Sequence, residues 1–392
     1  MSDPLRIVLY SHDSTGLGHV RRNLALAHHL SLALPRLLGR PVAGLLATGL
    51  PQASRFPLPD GFDWLALPGV TKGAGGYRPR HLAASMKSLI DLRSHLLEAA
   101  LVRYRPDLVV LDRHPLGVRK ELRSPLRKLR RRSPQTRVVL GLREVLDAPK
   151  VAAREWNDLG EDDLLGDLID EVWVYGDPSV HNPAATGEVP APLTDRVRFT
   201  GYLAHGRDLN PVPSAWDAAI PFVLTTVGGG SDGADLARVA AAAPVPDGHT
   251  HLVVTGPQMA SEDRESVVEL AGPRTRIIES VNGLSPHIAT ASAVVSMGGY
   301  NSVCEILATD TPALVVPRET PRTEQLIRAR SLARVGAIDL VREGELAPEA
   351  VGEWLSAAVT RRTDRSTLLR DGLARVPHLV AALLDPTQEG AA

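Results

Sequence analysis

A histidine flanked by glycines stands where the first apolar run of this chain gives way to polar residues. Arg6-Ile7-Val8-Leu9-Tyr10 is followed by SHDSTGLGHVRRN, residues 11–23. Three kinds of loop fit. A dinucleotide clamp needs Gly-x-Gly-x-x-Gly, because the third glycine lets helix and strand approach closely. Gly16 and Gly18 fit, but Arg21 holds the third place, so that reading is weak. A catalytic loop would present His19 as a general base at the start of a helix whose Val20, Leu24 and Ala27 face inward. A glycine turn with a surface histidine is the plain alternative. Further on, PDLVVLDRHP places Asp112 at the carboxyl end of an apolar run. An aspartate there can accept a hydrogen bond from one imidazole nitrogen and leave the other as a base. Equally, it can cap the segment that follows.

Two later stretches suit an anion and a sugar. In TTVGGGSDGADL, residues 225–236, an apolar run meets a glycine loop and then a helical pattern. Free backbone N–H groups and a helix dipole would converge there, an arrangement that commonly holds phosphate. Gly228, Gly229, Gly230 and Gly233 allow close approach, and Ser231 can donate a further hydrogen bond; without Gly-Lys-Ser/Thr this is no NTPase loop. A turn with Asp232 as cap is the alternative. In SMGGYNSVCEILATDTPALVVPRETPRTEQLIRA, residues 296–329, a strand ends at Gly298-Gly299 and a helix opens near Asn301 and Ser302. Glu305 on its first turns can bind two vicinal hydroxyls, as a ribose offers. After the next strand a polar loop carries Arg318, Arg322, Glu324 and Gln325, the last two suited to a hexose.

Such groups need strands to carry them to one edge. The 392 residues exceed what one core usually supports, so two domains are expected. Strands are predicted at Arg6–Tyr10, Val42–Leu46, Leu108–Leu111, Val138–Leu140 and Val172–Val174, with a helix from about His81 to Tyr104. Alternation dissolves in YLAHGRDLNPVPSAW and restarts with Phe222–Val227, a helix near Ala234–Ala243, and strands at His251–Thr255, Arg276–Glu279, Ala293–Ser296 and Ala313–Val316. The prediction is α/β with two Rossmann-like domains, 1–203 and 219–370, joined by a linker at 204–218 and facing a central cleft. Residues 371–392 form a C-terminal helix and tail that can return to the first domain.

The bulk numbers exclude several classes. A formal net charge of −1 gives no reason to expect nucleic-acid binding, and 44% apolar with 23% charged residues is a globular composition. One cysteine, Cys304, rules out an internal disulfide and suits a reducing cytoplasm. No signal peptide is visible, and no apolar run approaches the roughly 20 residues that cross a bilayer.

Residues 296–329 resemble the nucleotide-sugar-binding half of GT-B glycosyltransferases. The likeness is to family 28, which includes the N-acetylglucosaminyltransferase that completes lipid II, and to a related group of predicted glycosyltransferases. It extends over nearly the whole chain and is most specific in the C-terminal half. It implies a nucleotide-sugar co-substrate, UDP- or dTDP-linked, and no other cofactor. By this resemblance Gly228–Gly233 would hold the donor diphosphate, and RIIESVNGLSPHIATASAVVS would place the base near Val281. Glu305 would hold the ribose, and Glu324 and Gln325 the donor sugar. GLGHVRRN is similar to the family's first N-terminal loop, where the histidine at the place of His19 is a general base and an aspartate at the place of Asp112 orients it. Two features depart from the pattern. Family members often carry paired glutamines where Glu324-Gln325 stands. The GLGHVRRN loop also looks like that of a nucleotide-sugar hydrolase of the same fold, where the histidine activates water.

The implied reaction is inverting transfer to a hydroxyl acceptor, metal-independent, with Arg318 or Arg322 assisting the leaving group. Hydrolysis or epimerisation of the nucleotide sugar, or silent binding of it, are the rival readings. On the acceptor side the candidates are Gly16, Gly18, Arg143 and the basic loop PGVTKGAGGYRPR, with Lys72, Tyr77 and Arg78. RKELRSPLRKLRRRSPQTR, residues 119–137, reads as a solvated helix face, or as a surface for peripheral contact with anionic membrane. His114, His287 and Trp156 lie near these positions without an assigned role.

Overall fold

The computed structural model describes residues 3–12, 17–73, 76–207, 220–281 and 283–385. Its first half is a parallel sheet of seven strands: β1 (Leu5–Tyr10), β2 (Val42–Thr48), β3 (Phe62–Ala66), β6 (Leu108–Asp112), β7 (Arg137–Arg143), β8 (Glu171–Tyr175) and β9 (Val197–Phe199), in the order β3-β2-β1-β6-β7-β8-β9. A separate antiparallel hairpin pairs β4 (Val70–Gly73) with β5 (Gly76–Pro79). The helices are α1 (Gly18–Leu38), α2 (Met86–Tyr104), α3 (Arg123–Arg132), α4 (Pro149–Leu159) and α5 (Asp162–Leu168).

The second half repeats the plan with six parallel strands: β10 (Phe222–Thr226), β11 (Thr250–Val254), β12 (Thr275–Ile278), β13 (Ala293–Ser296), β14 (Ala313–Val315) and β15 (Asp339–Leu340), ordered β12-β11-β10-β13-β14-β15. Around them lie α6 (Ala234–Ala242), α7 (Ser261–Glu269), α8 (Ser285–Thr290), α9 (Tyr300–Leu307), α10 (Glu324–Arg334), α11 (Pro348–Ala358) and α12 (Gly372–Leu384).

Central strands covered on both faces must be apolar throughout, and β1 and β6 are buried along almost their whole length. In α1 the inward positions Val20, Leu24, Ala27, Leu30 and Leu34 recur at helical spacing, and the helix stops at Gly39 in a left-handed cap. Strand order reverses between β1 and β6 and again between β10 and β13. Such switch points open a crevice at the carboxyl ends of the strands. Four of the sequence-derived constellations follow these four strands.

Several expectations change in detail. The long helix begins at Met86, not near His81, because the Ser85 hydroxyl accepts from the Ser88 N–H at 3.1 Å and caps it. The basic loop at 68–80 is instead the β4–β5 hairpin, registered Thr71↔Arg78 and Lys72↔Tyr77. The strands β3, β9 and β15, unpredicted, are short or lie at sheet edges. Helix α12 sits against α1, with Leu373, Val376 and Val380 in one core with Leu26 and Leu30. Its entry is fixed by the Tyr202 N–H donating to Leu369 O at 2.7 Å. Among the described residues no helix is long and apolar enough to cross a membrane.

Candidate active site

The first switch point brings His19 and Asp112 together. His19 lies in the first turn of α1 and Asp112 ends β6; Nδ1 of the imidazole is 2.7 Å from Oδ2 of the carboxylate. Arg22, one helical turn on, donates to the other oxygen of Asp112 and stands 3.1 Å from the same Nδ1. The Arg22 guanidinium is buried between the faces of Tyr175 and Tyr300, at 5.7 and 5.6 Å from their centroids. Burial alone would raise the carboxyl of Asp112, but Arg22 and His19 outweigh it and hold it well below the usual carboxylate range. For His19, burial and the nearby charges of Arg22 and Arg143 lower the pKa from 6.5 against the opposing pull of Asp112. The imidazole is therefore neutral at pH 7. With Nδ1–H donating to Asp112, Nε2 is the basic atom.

Two more histidines join it. The His12 ring lies 4.0 Å from that of His114 and 6.2 Å from that of His19, and its Nε2 is 3.1 Å from the Tyr77 hydroxyl. Burial, then the neighbouring His19, pushes the His12 pKa down to about 3, and burial also lowers His114 strongly. Sequence reasoning gave His12 no place and His114 no role. The available signal was that SHD and DRHP follow strands that turn out to be neighbours. Among the described residues no group of three or more His, Cys, Asp or Glu is arranged to hold a metal ion.

In the second domain the loop after β10 is shaped by its glycines. Gly230 has φ +92°, and a Cβ there would fall 2.3 Å from Thr255 O. Gly228 lies at φ +68°, and Gly233 directly precedes α6. Ser231 is exposed at the loop tip, its hydroxyl 3.3 Å from Asp232. Asp232 does not cap α6; its carboxylate pairs with Arg318 at 2.7 Å. After β13, Gly298 turns at φ +78° against Val315, Gly299 directly precedes α9, and Asn301 and Ser302 lie in its first turn. Val281 is half-buried beyond β12 against the core.

Much of the predicted donor set touches the first domain. The buried carboxylate of Glu305 accepts from Arg21 at 3.0 Å. Asn301 donates to Gly18 O at 3.1 Å and accepts from Arg207 at 2.7 Å. Arg322 pairs with Glu155 at 2.5 Å and Asp147 at 3.2 Å, so its charge is engaged by the first domain. Glu144 and Arg328 form a fully buried pair at 2.7 Å. Glu324 accepts from Arg318 at 2.7 Å, and Gln325 accepts from the Arg318 N–H at 3.1 Å. Arg143 ends β7 close to this set and makes no ion pair among the described residues.

Other expected positions fall elsewhere. Arg78 is exposed on the hairpin, Lys72 lies in β4, and Gly16 is outside the described residues. Trp156 donates to Glu188 O at 2.7 Å, and His287 Nδ1 sits 3.1 Å from Gly283 O; both are structural contacts. In α3, Lys128 and Arg130 are engaged by Glu98 and Asp170, which leaves Arg127, Arg131 and Arg132 facing outward as basic residues.

Comparison with known proteins agrees with this layout. Residues 224–370 match the glycosyltransferase family 28 C-terminal domain. A UDP-N-acetylglucosamine--N-acetylmuramyl-(pentapeptide) pyrophosphoryl-undecaprenol N-acetylglucosamine transferase from Brucella anthropi is 34% identical over 138 residues, which span 33% of this chain and 37% of that protein. Its counterpart from Burkholderia pseudomallei is 25% identical over 411 residues, covering 100% of both. Among solved structures, a UDP-N-acetylglucosamine 2-epimerase superposes with a TM-score of 0.62 at 13% identity, covering 100% of this chain and 99% of that one. MurG of Acinetobacter baumannii gives 0.56 at 15%, covering 96% and 99%. The fold is thus that of a GT-B protein, two Rossmann-like domains about a cleft. Its C-terminal domain is of the glycosyltransferase family 28 type, and the likeness drawn from the sequence stands.

Proposed function

We propose that the chain is an inverting glycosyltransferase that moves a sugar from a UDP- or dTDP-linked donor to a hydroxyl acceptor, with His19 as general base. The observation that carries this reading is the His19–Asp112 contact of 2.7 Å at a strand-order reversal, with the imidazole held neutral. His19 Nε2 takes the acceptor proton as the acceptor oxygen bonds to the anomeric carbon. The bond from that carbon to the diphosphate breaks on the opposite side, which inverts the centre. Asp112 keeps the tautomer and stabilises the imidazolium as it forms. Charge growing on the leaving diphosphate is met by N–H groups of residues 228–233 and the start of α9, with Arg318 beside them, so no metal is required in this reading.

Glu305 then takes the ribose hydroxyls, which requires Arg21 to release it. Contact with an anionic membrane surface, if the acceptor is lipid-linked, would fall to Arg127, Arg131 and Arg132. The test is nucleotide release from UDP-, GDP- and dTDP-sugars without acceptor, by wild type and His19→Ala. One donor bound with little release is expected. Fast release that His19→Ala abolishes would replace the transferase with a hydrolase in which His19 activates water.

A further inference from the structure

Tyr300 opens α9 in the second domain, yet its side chain is spent on the first. It is 3% exposed, so it meets no ligand directly. Its hydroxyl donates to Tyr175 O at the end of β8 at 2.9 Å and accepts from the Leu203 N–H at 3.5 Å. Its ring faces Arg22, with the guanidinium carbon 5.6 Å from the centroid, and the Tyr175 ring takes the same cation at 5.7 Å. Tyr175 has room there because β7 carries Gly141, where a Cβ would fall 2.2 Å from the Tyr175 hydroxyl. The Nε of Arg22 is buried without a partner, and its Nη2 serves both Asp112 and His19.

The place of that nitrogen decides which atom of His19 is the base. Nδ1 of the imidazole lies 2.7 Å from Oδ2 of Asp112 and 3.1 Å from Nη2 of Arg22. A carboxylate accepts and a guanidinium donates. With Arg22 kept on Oδ1, the imidazole proton belongs on Nδ1 and Nε2 is free to accept. A guanidinium released from Oδ1 no longer shares the charge of Asp112, and the bare carboxylate then favours a second proton on the ring. The other groups around His19 are Arg143 at the end of β7, His12 after β1 and His114 after β6, the two histidines held neutral by burial. From α9, Glu305 faces α1 but is paired with Arg21. What fixes Arg22 therefore tunes the base, and a desolvated cation against aromatic faces is firmly held.

Resting on the reading of His19 as general base, we propose that Tyr300 is a positioning residue for it: its ring holds Arg22 on Asp112 and thereby keeps the proton of His19 on Nδ1 and Nε2 bare. The second domain thus acts on the base without touching it. The same ring lies 5.7 Å from the guanidinium carbon of Arg328, which bonds Glu144 at 2.7 Å. One side chain carries a cation from each domain.

The experiment titrates His19 by NMR in the full chain carrying nitrogen-labelled histidine, its signals assigned by their loss in His19→Gln. Wild type and Tyr300→Phe should show the proton on Nδ1 and the same titration. Two variants remove the negative ring face: Tyr300→Met, and Tyr300→pentafluorophenylalanine, which keeps the shape of the ring and so guards against a failure to fold. Both should bind a proton at His19 about threefold more tightly, and Arg22→Met about tenfold. The acid limb of turnover should move to higher pH by the same factors. Wild-type titration in the fluorinated variant would overturn the proposal and leave Tyr300 a packing residue. So would an equal change in Tyr300→Phe, which would assign the effect to the hydroxyl, or a proton on Nε2 in wild type. The titration needs neither donor nor acceptor. Absence of wild-type turnover with every UDP-, GDP- and dTDP-sugar would overturn the glycosyltransferase reading, and the titration would still decide the role of Tyr300.

Discussion

The two faces of the cleft are made of different material. On the C-terminal side the cradle is backbone, with Gly228, Gly230 and Gly298 at φ of +68°, +92° and +78°. On the N-terminal side it is side chain: His19, Asp112 and Arg22 are tied together, and His12 is tied to Tyr77, across 65 to 93 positions of sequence. A backbone site depends on what is missing, the Cβ of a few glycines. A side-chain site depends on every charge keeping its partner. The first should fail by addition of an atom and the second by removal of one.

The sharpest test of that contrast is removal. His19→Ala should lower turnover by about a thousandfold while leaving nucleoside diphosphate affinity unchanged. Asp112→Asn should do as much to turnover, and in addition cost about 3–5 kcal/mol of stability, because Arg22 is left buried and unanswered. Turnover and thermal melts read both. If Asp112→Asn melts like wild type, the side-chain network is not what holds this face. Addition comes next. Gly230→Ala places a methyl 2.3 Å from Thr255 O at a positive φ, a strain of about 1–3 kcal/mol or more. Nucleoside diphosphate affinity or the melt should drop accordingly, while the pH profile of the residual turnover stays unchanged.

The same contrast decides what could be read from sequence. Glycines after apolar runs announce a backbone site locally, so the loops at Gly228–Gly230 and Gly298–Gly299 were visible with their strands. His19 and Asp112 were visible as separate candidates because each follows a strand, and only the β1–β6 pairing makes them neighbours. What could not be seen was the charge ledger. Arg22, Glu144 and Arg328 look like ordinary surface residues in their segments, yet each is buried because its partner comes from 90 or 184 positions away. The hairpin at 70–79 was hidden by its own glycines, which read as loop until strand registers are known. Short edge strands such as β15 have too few residues for any periodicity.

Proton binding separates the faces by a smaller amount. A general base at His19 must be neutral, and burial lowers the pKa of this imidazole from 6.5. Turnover per donor should therefore be flat from pH 8 through 6.5 and fall only below that; an acid limb centred at 6.5 or higher would contradict the buried, charge-flanked imidazole. Stability should follow in the same sense. Between pH 6.5 and about 3 the unfolded chain binds a proton at His12 that the folded chain refuses. Stability present above pH 6.5 is thus lost as pH falls, by at most about 1.4 kcal/mol per unit from this group. Urea midpoints at pH 7 and 5 should differ less in His12→Gln than in wild type.

Where the two faces touch, the expected effect is smallest and its sign carries the information. Glu305 is 2% exposed and Arg21 39%, with 3.0 Å between them. If Glu305 binds ribose, Arg21 occupies the place of the sugar until the donor arrives, and a half-exposed partner of this kind is worth about 1 kcal/mol or less. Arg21→Gln should therefore tighten nucleoside diphosphate binding about two- to fivefold and weaken its dependence on salt. The 2′-deoxy nucleotide should gain less, since it offers one hydroxyl fewer to the freed carboxylate. Weaker binding in Arg21→Gln would mean the opposite arrangement, in which Arg21 stays in place and contacts the donor diphosphate itself. The backbone-built face would then borrow a cation from the side-chain face, and the division between them would end at α1.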